Sequence, residues 1–168
     1  GVSVPRLSGN TKNLVIAAGT WGDLSFTANW QANNYTITYD YNDGTTAKTT
    51  QNVTFDSSYK LIVPTRNGYK FSGWFCGNEK IADGTYKTPS DITLKATWEI
   101  ITYTIDYDLN GGSVVNGNPV KYTVETETFT LGNPTKTGYS FTGWILGDSD
   151  VKNLTVIIEK GYLGNLTF

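Results

Sequence analysis

The residues closest to a chemical motif are Asp106, Asp108 and Asn110, which are spaced two apart and followed by Gly111. This spacing matches the first half of a calcium-binding loop, where alternate oxygen ligands precede a glycine. The twelfth loop position, which requires a bidentate Glu, is Gly117, and neither flank has a helical pattern. The motif therefore favours a solvated strand face that runs into a turn, with a weak cation site as the alternative.

Residue types that perform catalysis are scarce in this chain. It contains no His, which excludes Ser-His-Asp, Cys-His and imidazole–metal sites. The single cysteine, Cys76, predicts a packing residue rather than a disulfide or a thiolate metal site. A carboxylate pair for glycoside hydrolysis stays open, since such a pair meets only in the fold. We expect no enzyme activity, no metal site and no cofactor.

Charge and hydropathy argue against two further classes of protein, those that bind nucleic acids and those that insert into membranes. The chain has 13 basic and 15 acidic residues, without the positive surplus that phosphate contacts require. We therefore expect no nucleic-acid partner. No apolar run approaches the roughly 20 residues that span a bilayer, so we expect no membrane insertion.

One pattern occurs twice and organises the rest of the chain. Residues 64–74 and 134–144 both read P-T-x-x-G-Y-x-F-x-G-W and begin 70 positions apart. Its Gly68 and Gly138 predict a turn into a strand, and a glycine before each Trp, at Gly73 and Gly143, predicts a β-bulge.

Two other signatures repeat at nearly the same spacing. Residues 35–44 match 103–112, and residues 23–30 match 91–98, with a shorter version at 165–168. Copies at a fixed period indicate an array of small modules. The order of the signatures divides the chain into the C-terminal part of a preceding repeat (1–31), a complete repeat (32–99) and a repeat that lacks its last few residues, including the closing Trp (100–168).

The first and third signatures alternate with the two-residue period of β-strands. The predicted inward positions are Tyr35, Ile37, Tyr39, Tyr41, their counterparts Tyr103, Ile105, Tyr107, Leu109, and, in the terminal strands, Leu24, Phe26, Ala28, Trp30 and Ile92, Leu94, Ala96, Trp98. Hairpin turns are predicted at 42–44 and 110–112, with second strands near 51–55 and 121–124. One helical turn is predicted over 56–61.

Together these signatures resemble the Listeria–Bacteroides repeat, also found as the B-repeat of internalin surface proteins. The resemblance is carried by Gly68, Tyr69, Phe71, Gly73, Trp74 and by Gly138, Tyr139, Phe141, Gly143, Trp144, joined to Trp30 and Trp98 in the closing Ala-x-Trp. It implies a mainly β chain of tandem, β-grasp-like modules of about 70 residues, with motif positions that are structural rather than catalytic. It also implies a secreted or wall-attached bacterial protein.

The aromatic residues divide into two groups. The Trp residues at fixed module positions, which are Trp30, Trp74, Trp98 and Trp144, are predicted to lie in the core. Trp21, Tyr86 and Tyr162 stand in the turn before the last strand and are predicted to be partly exposed. There they could form a platform for a sugar or a partner protein, although packing at a module boundary explains them equally well.

The sequence thus predicts a non-enzymatic, extracellular spacer and adhesin array, monomeric, with a host or matrix protein or a glycan as its partner. The alternative is a carbohydrate-binding accessory module of a secreted enzyme. Five residues separate Trp98 from Tyr103, and they include the apolar Ile100 and Ile101. We therefore expect a stiff, elongated array without a flexible linker.

Overall fold

The structure is a computed structural model that describes residue 16, residues 18–113 and residues 117–168. The first repeat contains the strands β1 (Asn34–Asp40), β2 (Thr49–Thr54), β3 (Ser58–Tyr59), β4 (Tyr69–Cys76), β5 (Glu79–Ile81), β6 (Gly84–Thr85) and β7 (Ile92–Ile100). The second contains β8 (Tyr103–Asp106), β9 (Lys121–Tyr122), β10 (Phe129–Thr130), β11 (Ile157–Ile158) and β12 (Leu166–Thr167). The chain is mainly β, as the sequence predicts.

The first repeat is built on a five-stranded sheet in the order β2-β1-β7-β4-β5. The central strand, β7, is parallel to β1, with Ile37 opposite Ile92 and Tyr39 opposite Leu94. The other neighbours are antiparallel. The strand β7 therefore lies at the centre of the sheet, between the β1–β2 hairpin and the β4–β5 hairpin.

The helical turn predicted over 56–61 is wrong, and the described residues contain no helix. Asp56 has a φ of 65°, which is incompatible with a right-handed helix. Ser58 and Tyr59 instead form β3, which pairs with β6. The Tyr86 N–H also donates to the Ser57 carbonyl at 2.9 Å, so this segment takes its backbone partners from across the module.

The predicted inward faces form the core of the first repeat. Ile37, Tyr39, Leu94 and Ala96 are buried. Trp74 closes this core, with its ring centroid 4.8 Å from that of Tyr39. The hairpin prediction is also confirmed, since β2 covers most of 51–55 and pairs with β1.

The predicted bulge before Trp74 is present. The register of β4 against β7 shifts between Phe71 and Gly73, and Gly73 has a φ of 144°. The extra residue turns the following indole inwards over the core.

The second repeat has shorter strands around its own core. β12, β8 and β9 form a three-stranded sheet in that order, with β12 parallel to β8. β10 and β11 form a separate antiparallel pair. The core contains Ile105, Tyr122, Leu131, Trp144, Ile158, Leu166 and Phe168.

The strand predicted at 23–30 is wrong. Residues 23–30 form no strand, and Phe26 and Trp30 are 60% and 92% exposed, so Trp30 is not a core residue. In the first repeat the equivalent strand, β7, is held between β1 and β4. No described strand pairs with residues 23–30, and a strand without partners leaves its backbone groups unpaired. Residues 1–15 and 17 of the predicted preceding repeat lie outside the described residues.

Candidate functional site

The two repeats meet at the glycine that opens β4. The Ile101 N–H donates to the Gly68 carbonyl at 2.9 Å, directly after β7 ends at Ile100. Ile100 and Ile101 are both half-buried, as the prediction of a packed link requires. Since β8 begins at Tyr103, Ile101 and Thr102 alone separate the last strand of one repeat from the first strand of the next.

The second repeat packs directly on Gly68. A Cβ built there would lie 2.5 Å from Cγ2 of Val124 and closer still to Cγ1, far inside van der Waals contact. Gly68 also has a φ of 77°, which L side chains rarely adopt. Only glycine therefore permits both this turn and the approach of Val124.

The neighbouring residues add a polar contact. The Tyr69 hydroxyl donates a hydrogen bond to Oε1 of Glu125, and the Arg66 guanidinium lies 3.8 Å from the Tyr69 ring centroid. The bond to Glu125 raises the pKa of Tyr69 above its ordinary value, because the carboxylate stabilises the protonated phenol. We call Gly68, Tyr69, Val124 and Glu125 the joint.

A short turn holds the second half of the joint. The Thr126 N–H donates to the Thr123 carbonyl at 3.1 Å, and the Thr123 N–H donates to Thr126 Oγ1 at 2.9 Å. These reciprocal bonds fix the turn that carries Val124 and Glu125. Sequence reasoning missed both residues, although the repeat offers a signal: Thr123–Thr126 matches Thr54–Ser57 as a hydroxyl residue, an apolar residue, an acid and a hydroxyl residue.

The motif Trp residues take different environments in the two repeats. Trp74 is 1% exposed and donates from Nε1 to the Ile62 carbonyl at 2.7 Å. Trp144 is 4% exposed, and its Nε1 is buried with no hydrogen-bond partner among the described residues. The aligned carbonyl, of Gly132, accepts from Nδ2 of Asn118 at 2.9 Å instead.

The remaining motif aromatics lie around these indoles. Trp98 is half-buried and donates from Nε1 to the Tyr41 carbonyl at 2.8 Å. Phe71 and Phe141 each meet their Trp edge to face, with ring centroids 5.5 Å and 5.4 Å apart. The glycine before Trp144, Gly143, has a φ of 130°, but residues 139–144 form no strand, so the bulge predicted at Gly143 and the strand predicted after Gly138 are wrong for the second repeat.

The predicted aromatic platform is not assembled. Tyr86 is 2% exposed, and its hydroxyl donates to the Ser90 carbonyl at 2.6 Å, so it belongs to the core and not to the surface. Its ring packs against those of Tyr35 and Tyr59, which accounts for its burial. Trp21 and Tyr162 are 77% and 41% exposed, and the structure records no contact that joins them within its described residues.

Within the predicted calcium-loop motif of Asp106, Asp108 and Asn110, the Asp108 carboxylate binds the backbone of its own turn. Oδ1 of Asp108 accepts the Asn110 N–H at 2.9 Å, as Oδ1 of Asp40 accepts the Asn42 N–H at 3.0 Å. Within the part of the chain that the structure describes, no group of three or more His, Cys, Asp or Glu residues is placed to hold a metal ion. The Asp108 carboxylate caps its own turn, where Asn110 has a φ of 46°.

One groove and one free cysteine lie outside the joint and the Trp environments. A groove of about 300 Å³ lies over the start of β1 and the end of β2, and its lining contains no charged side chain: Asn34, Tyr35, Thr36, Asn52, Val53, Thr54. Cys76 is free, half-buried and packed against the first core. Across the described residues no helix is long and apolar enough to cross a membrane.

Comparison with known proteins agrees with the repeat architecture. A 120-residue stretch is 31% identical to a protein of Evansella cellulosilytica whose name describes a Gly-rich membrane protein, covering 70% of this chain and 14% of that protein. A second match, over 109 residues at 34% identity, is to Internalin H of Listeria monocytogenes, covering 62% of this chain and 19% of that protein. The chain thus spans less than a fifth of the length of these relatives. The Listeria-Bacteroides repeat domain matches twice, over residues 35–97 and 103–168, and the chain belongs to that family.

Proposed function

We propose that this chain is a non-enzymatic repeat array of a bacterial surface or secreted protein, in which it holds a distal binding domain at a fixed distance and orientation. The observation that carries this proposal is the joint. A rigid spacer needs consecutive modules that cannot rotate freely. The contact of Val124 with Gly68 and the bond from Tyr69 to Glu125 both oppose such rotation.

The short link supports the same function. β7 continues to Ile100, and the Ile101 N–H remains bound to the first repeat through Gly68. Flexible linkers between domains are longer, polar and solvated. Consecutive repeats joined through two residues instead behave as a continuous body whose length increases with the number of repeats.

The relatives support a location outside the cytoplasm. An internalin and a protein named for the membrane carry similar sequence. We infer a surface-attached or secreted bacterial protein, in which an adhesin role would follow from presenting a binding domain to a host or matrix polymer.

Small-angle X-ray scattering on the chain tests the spacer proposal. A rigid pair of repeats gives a narrow distance distribution that one conformation fits. The matched control is Gly68→Ala, which inserts a methyl group where Val124 packs and should broaden the distribution. A broad distribution for the wild-type chain would contradict the spacer role.

A glycan array tests the alternative of a carbohydrate-binding module. Specific sugar binding that is lost in Trp21→Ala would favour it, because Trp21 is the most exposed of the predicted platform residues. Tyr86→Ala would not test sugar binding, since Tyr86 lies in the core and its removal would perturb folding.

A further inference from the structure

The strands that open and close the first repeat lie side by side. β1 is its first strand and β7 its last, and the two are parallel neighbours in the sheet. The register places Ile37 opposite Ile92. At a rise of about 3.3 Å per residue, Asn34 and Ile100 then lie about 35 Å apart along the strand direction. The chain therefore enters the repeat at one end of this strand pair and leaves it at the other end.

Tension between Asn34 and Ile100 acts on β1 and β7 in shear. A pull on the chain before Asn34 draws β1 in one direction, and a pull after Ile100 draws β7 in the opposite direction. The hydrogen bonds between the two strands run across the direction of this pull, so they share the force and must break together. A pull that separates the same strands from one end would instead break these bonds one after another.

Side-chain bonds lengthen the ladder between β1 and β7 at both of its ends. Before the first strand pair, the Thr36 N–H donates to Oδ1 of Asp91 at 2.8 Å. Beyond the last pair, Nε1 of Trp98 donates to the Tyr41 carbonyl at 2.8 Å. We call the paired residues of β1 and β7, together with these two bonds, the terminal ladder.

The terminal ladder is shielded on both sides and on one face. Neither strand is at an edge of the sheet, since β2 lies beyond β1 and β4 lies beyond β7. Ile37 and Leu94 are fully buried beneath the ladder. Backbone bonds that are shielded from water in this way seldom open locally.

The second repeat uses the same arrangement. Its first strand, β8, is parallel to its last described strand, β12, with Ile105 opposite Leu166. The Thr104 N–H donates to Oδ1 of Asn165 at 3.0 Å, as the Thr36 N–H donates to Asp91. The acceptor atom is therefore kept although the residue changes from Asp to Asn.

We propose that each repeat is a mechanical element, in which the terminal ladder keeps the module folded when the chain is pulled from its two ends. This inference rests on the proposed function, because only an array that joins a surface to a distal domain experiences such tension. It goes beyond stiffness, since forced unfolding is governed by the rate of unfolding and not by the equilibrium free energy. A small module therefore resists tension through the direction in which a few bonds are pulled.

Single-molecule pulling of the full chain in two directions tests the proposal. Handles attached at Asn33→Cys and Thr102→Cys place the terminal ladder in shear, whereas handles at Asn33→Cys and Ser90→Cys pull the starts of β1 and β7 apart. All three positions are exposed and lie outside the strands. Cys76→Ala in both proteins removes the competing thiol and keeps a small apolar side chain. Well-dispersed amide NMR spectra verify folding.

The two directions release nearly the same length of chain, about 190 Å in each case. A difference in unfolding force therefore reports the direction of the pull alone. We expect the unfolding force to be several-fold higher in shear. Equal forces in the two directions, or a lower force in shear, would overturn the proposal.

Variants with the shear handles test whether the resistance comes from the terminal ladder. Asp91→Ala removes the acceptor of the Thr36 N–H and should unfold several-fold faster at the same force, whereas Asp91→Asn keeps the acceptor, as Asn165 does, and should unfold as the parent does. Ile81→Ala, in the outer strand β5, should lower the free energy of unfolding in urea and leave the shear force nearly unchanged. If Ile81→Ala lowers the force as Asp91→Ala does, the resistance does not come from the terminal ladder.

The spacer function has a separate readout in the scattering of the wild-type chain. A low shear force together with a narrow distance distribution would reject the mechanical inference alone. A broad distribution would reject the spacer function on which it rests.

Discussion

In the first repeat the motif strand has a complete partner, whereas in the second it has almost none. β4 pairs with β7 along Tyr69–Ile100, Phe71–Trp98 and Trp74–Ala96. In the second repeat Trp144 forms a single bridge with Asn153, and residues 139–144 belong to no strand. The same motif therefore becomes a strand only where its neighbour supplies the backbone partners.

The register explains this difference. Ile37 lies opposite Ile92 and Ile105 opposite Leu166, so Phe168 takes the place of Leu94. In β7, residues 95–100, which come after the position that Phe168 matches, are the ones that pair with β4. Phe168 is nevertheless buried, and its N–H donates to the Asp106 carbonyl at 2.9 Å, so the first half of this strand is in place.

The two repeats should differ most in how much unfolding free energy they lose when each motif Trp is replaced by Ala. Trp74→Ala should destabilise the first repeat by about 3–5 kcal/mol, as for other buried large aromatics. Trp144→Ala should cost about 1 kcal/mol less, because no hydrogen bond from Nε1 is lost. Urea unfolding monitored by amide peaks of each repeat measures both values. Equal losses, or a larger loss for Trp144, would contradict the comparison.

Supplying strand partners for residues 139–144 should stabilise the second repeat. A chain extended after Phe168 by the sequence of residues 95–100 supplies partners for Tyr139–Trp144 and buries one more Trp, which is worth about 2 kcal/mol or more. Hydrogen exchange at Phe141 and Trp144 should slow. The control is the same extension with its Trp replaced by Ser, which keeps the backbone partners and loses the burial. If hydrogen exchange at Phe141 and Trp144 does not slow, the added residues do not form the strand pairing that β7 forms with β4.

The two motif glycines form a matched pair that isolates the joint. Gly68→Ala and Gly138→Ala share the cost of a positive φ, because the angles are 77° and 79°. Gly68→Ala alone adds the clash with Val124, expected to cost about 1–3 kcal/mol as overpacking. The difference in unfolding free energy between the variants is the measurement. Equal values would show that Val124 does not rest on Gly68 in solution.

The hydroxyl contact of the joint should depend on pH. The folded pKa of Tyr69 is raised above 10.0 by its bond to Glu125, so the stabilisation is complete below pH 10 and lost as the pH rises through the raised value. Tyr69→Phe should remove this dependence. The difference between wild type and variant, followed from neutral to alkaline pH, should fall to zero. A difference that does not change with pH would show that the hydroxyl does not bond to Glu125.

The smallest effect on stability is expected from the addition or removal of calcium. Asp108 already accepts the Asn110 N–H, and the cluster lacks the closing Glu of a calcium loop. Melting temperatures with excess calcium and with chelator should agree within error. A rise of several degrees that is lost in Asp108→Ala would establish a cation site.

The sequence predicted the features that alternation and glycine chemistry control. The period of two placed Ile37, Tyr39, Leu94 and Ala96 on the buried face, and Gly73 marked the bulge before Trp74. These properties are local, because a strand's faces and a positive φ are fixed by a few neighbouring residues.

Features that depend on distant partners could not be predicted in this way. Trp30 has the sequence pattern of Trp98, yet no described strand pairs with it, and it is 92% exposed. Tyr86 stands in a variable turn, but contacts with Tyr35 and Tyr59 bury it. The joint combines positions more than 50 residues apart, and neither half shows its role without the other.

Residual dipolar couplings of the full chain show whether the joint fixes one repeat against the other. Couplings from the first and second repeats should fit a single alignment tensor. Gly68→Ala should separate them into two tensors, and Gly138→Ala should leave one. A wild-type chain whose repeats require two tensors of different magnitude would show that the joint is not rigid, because its modules would then move independently.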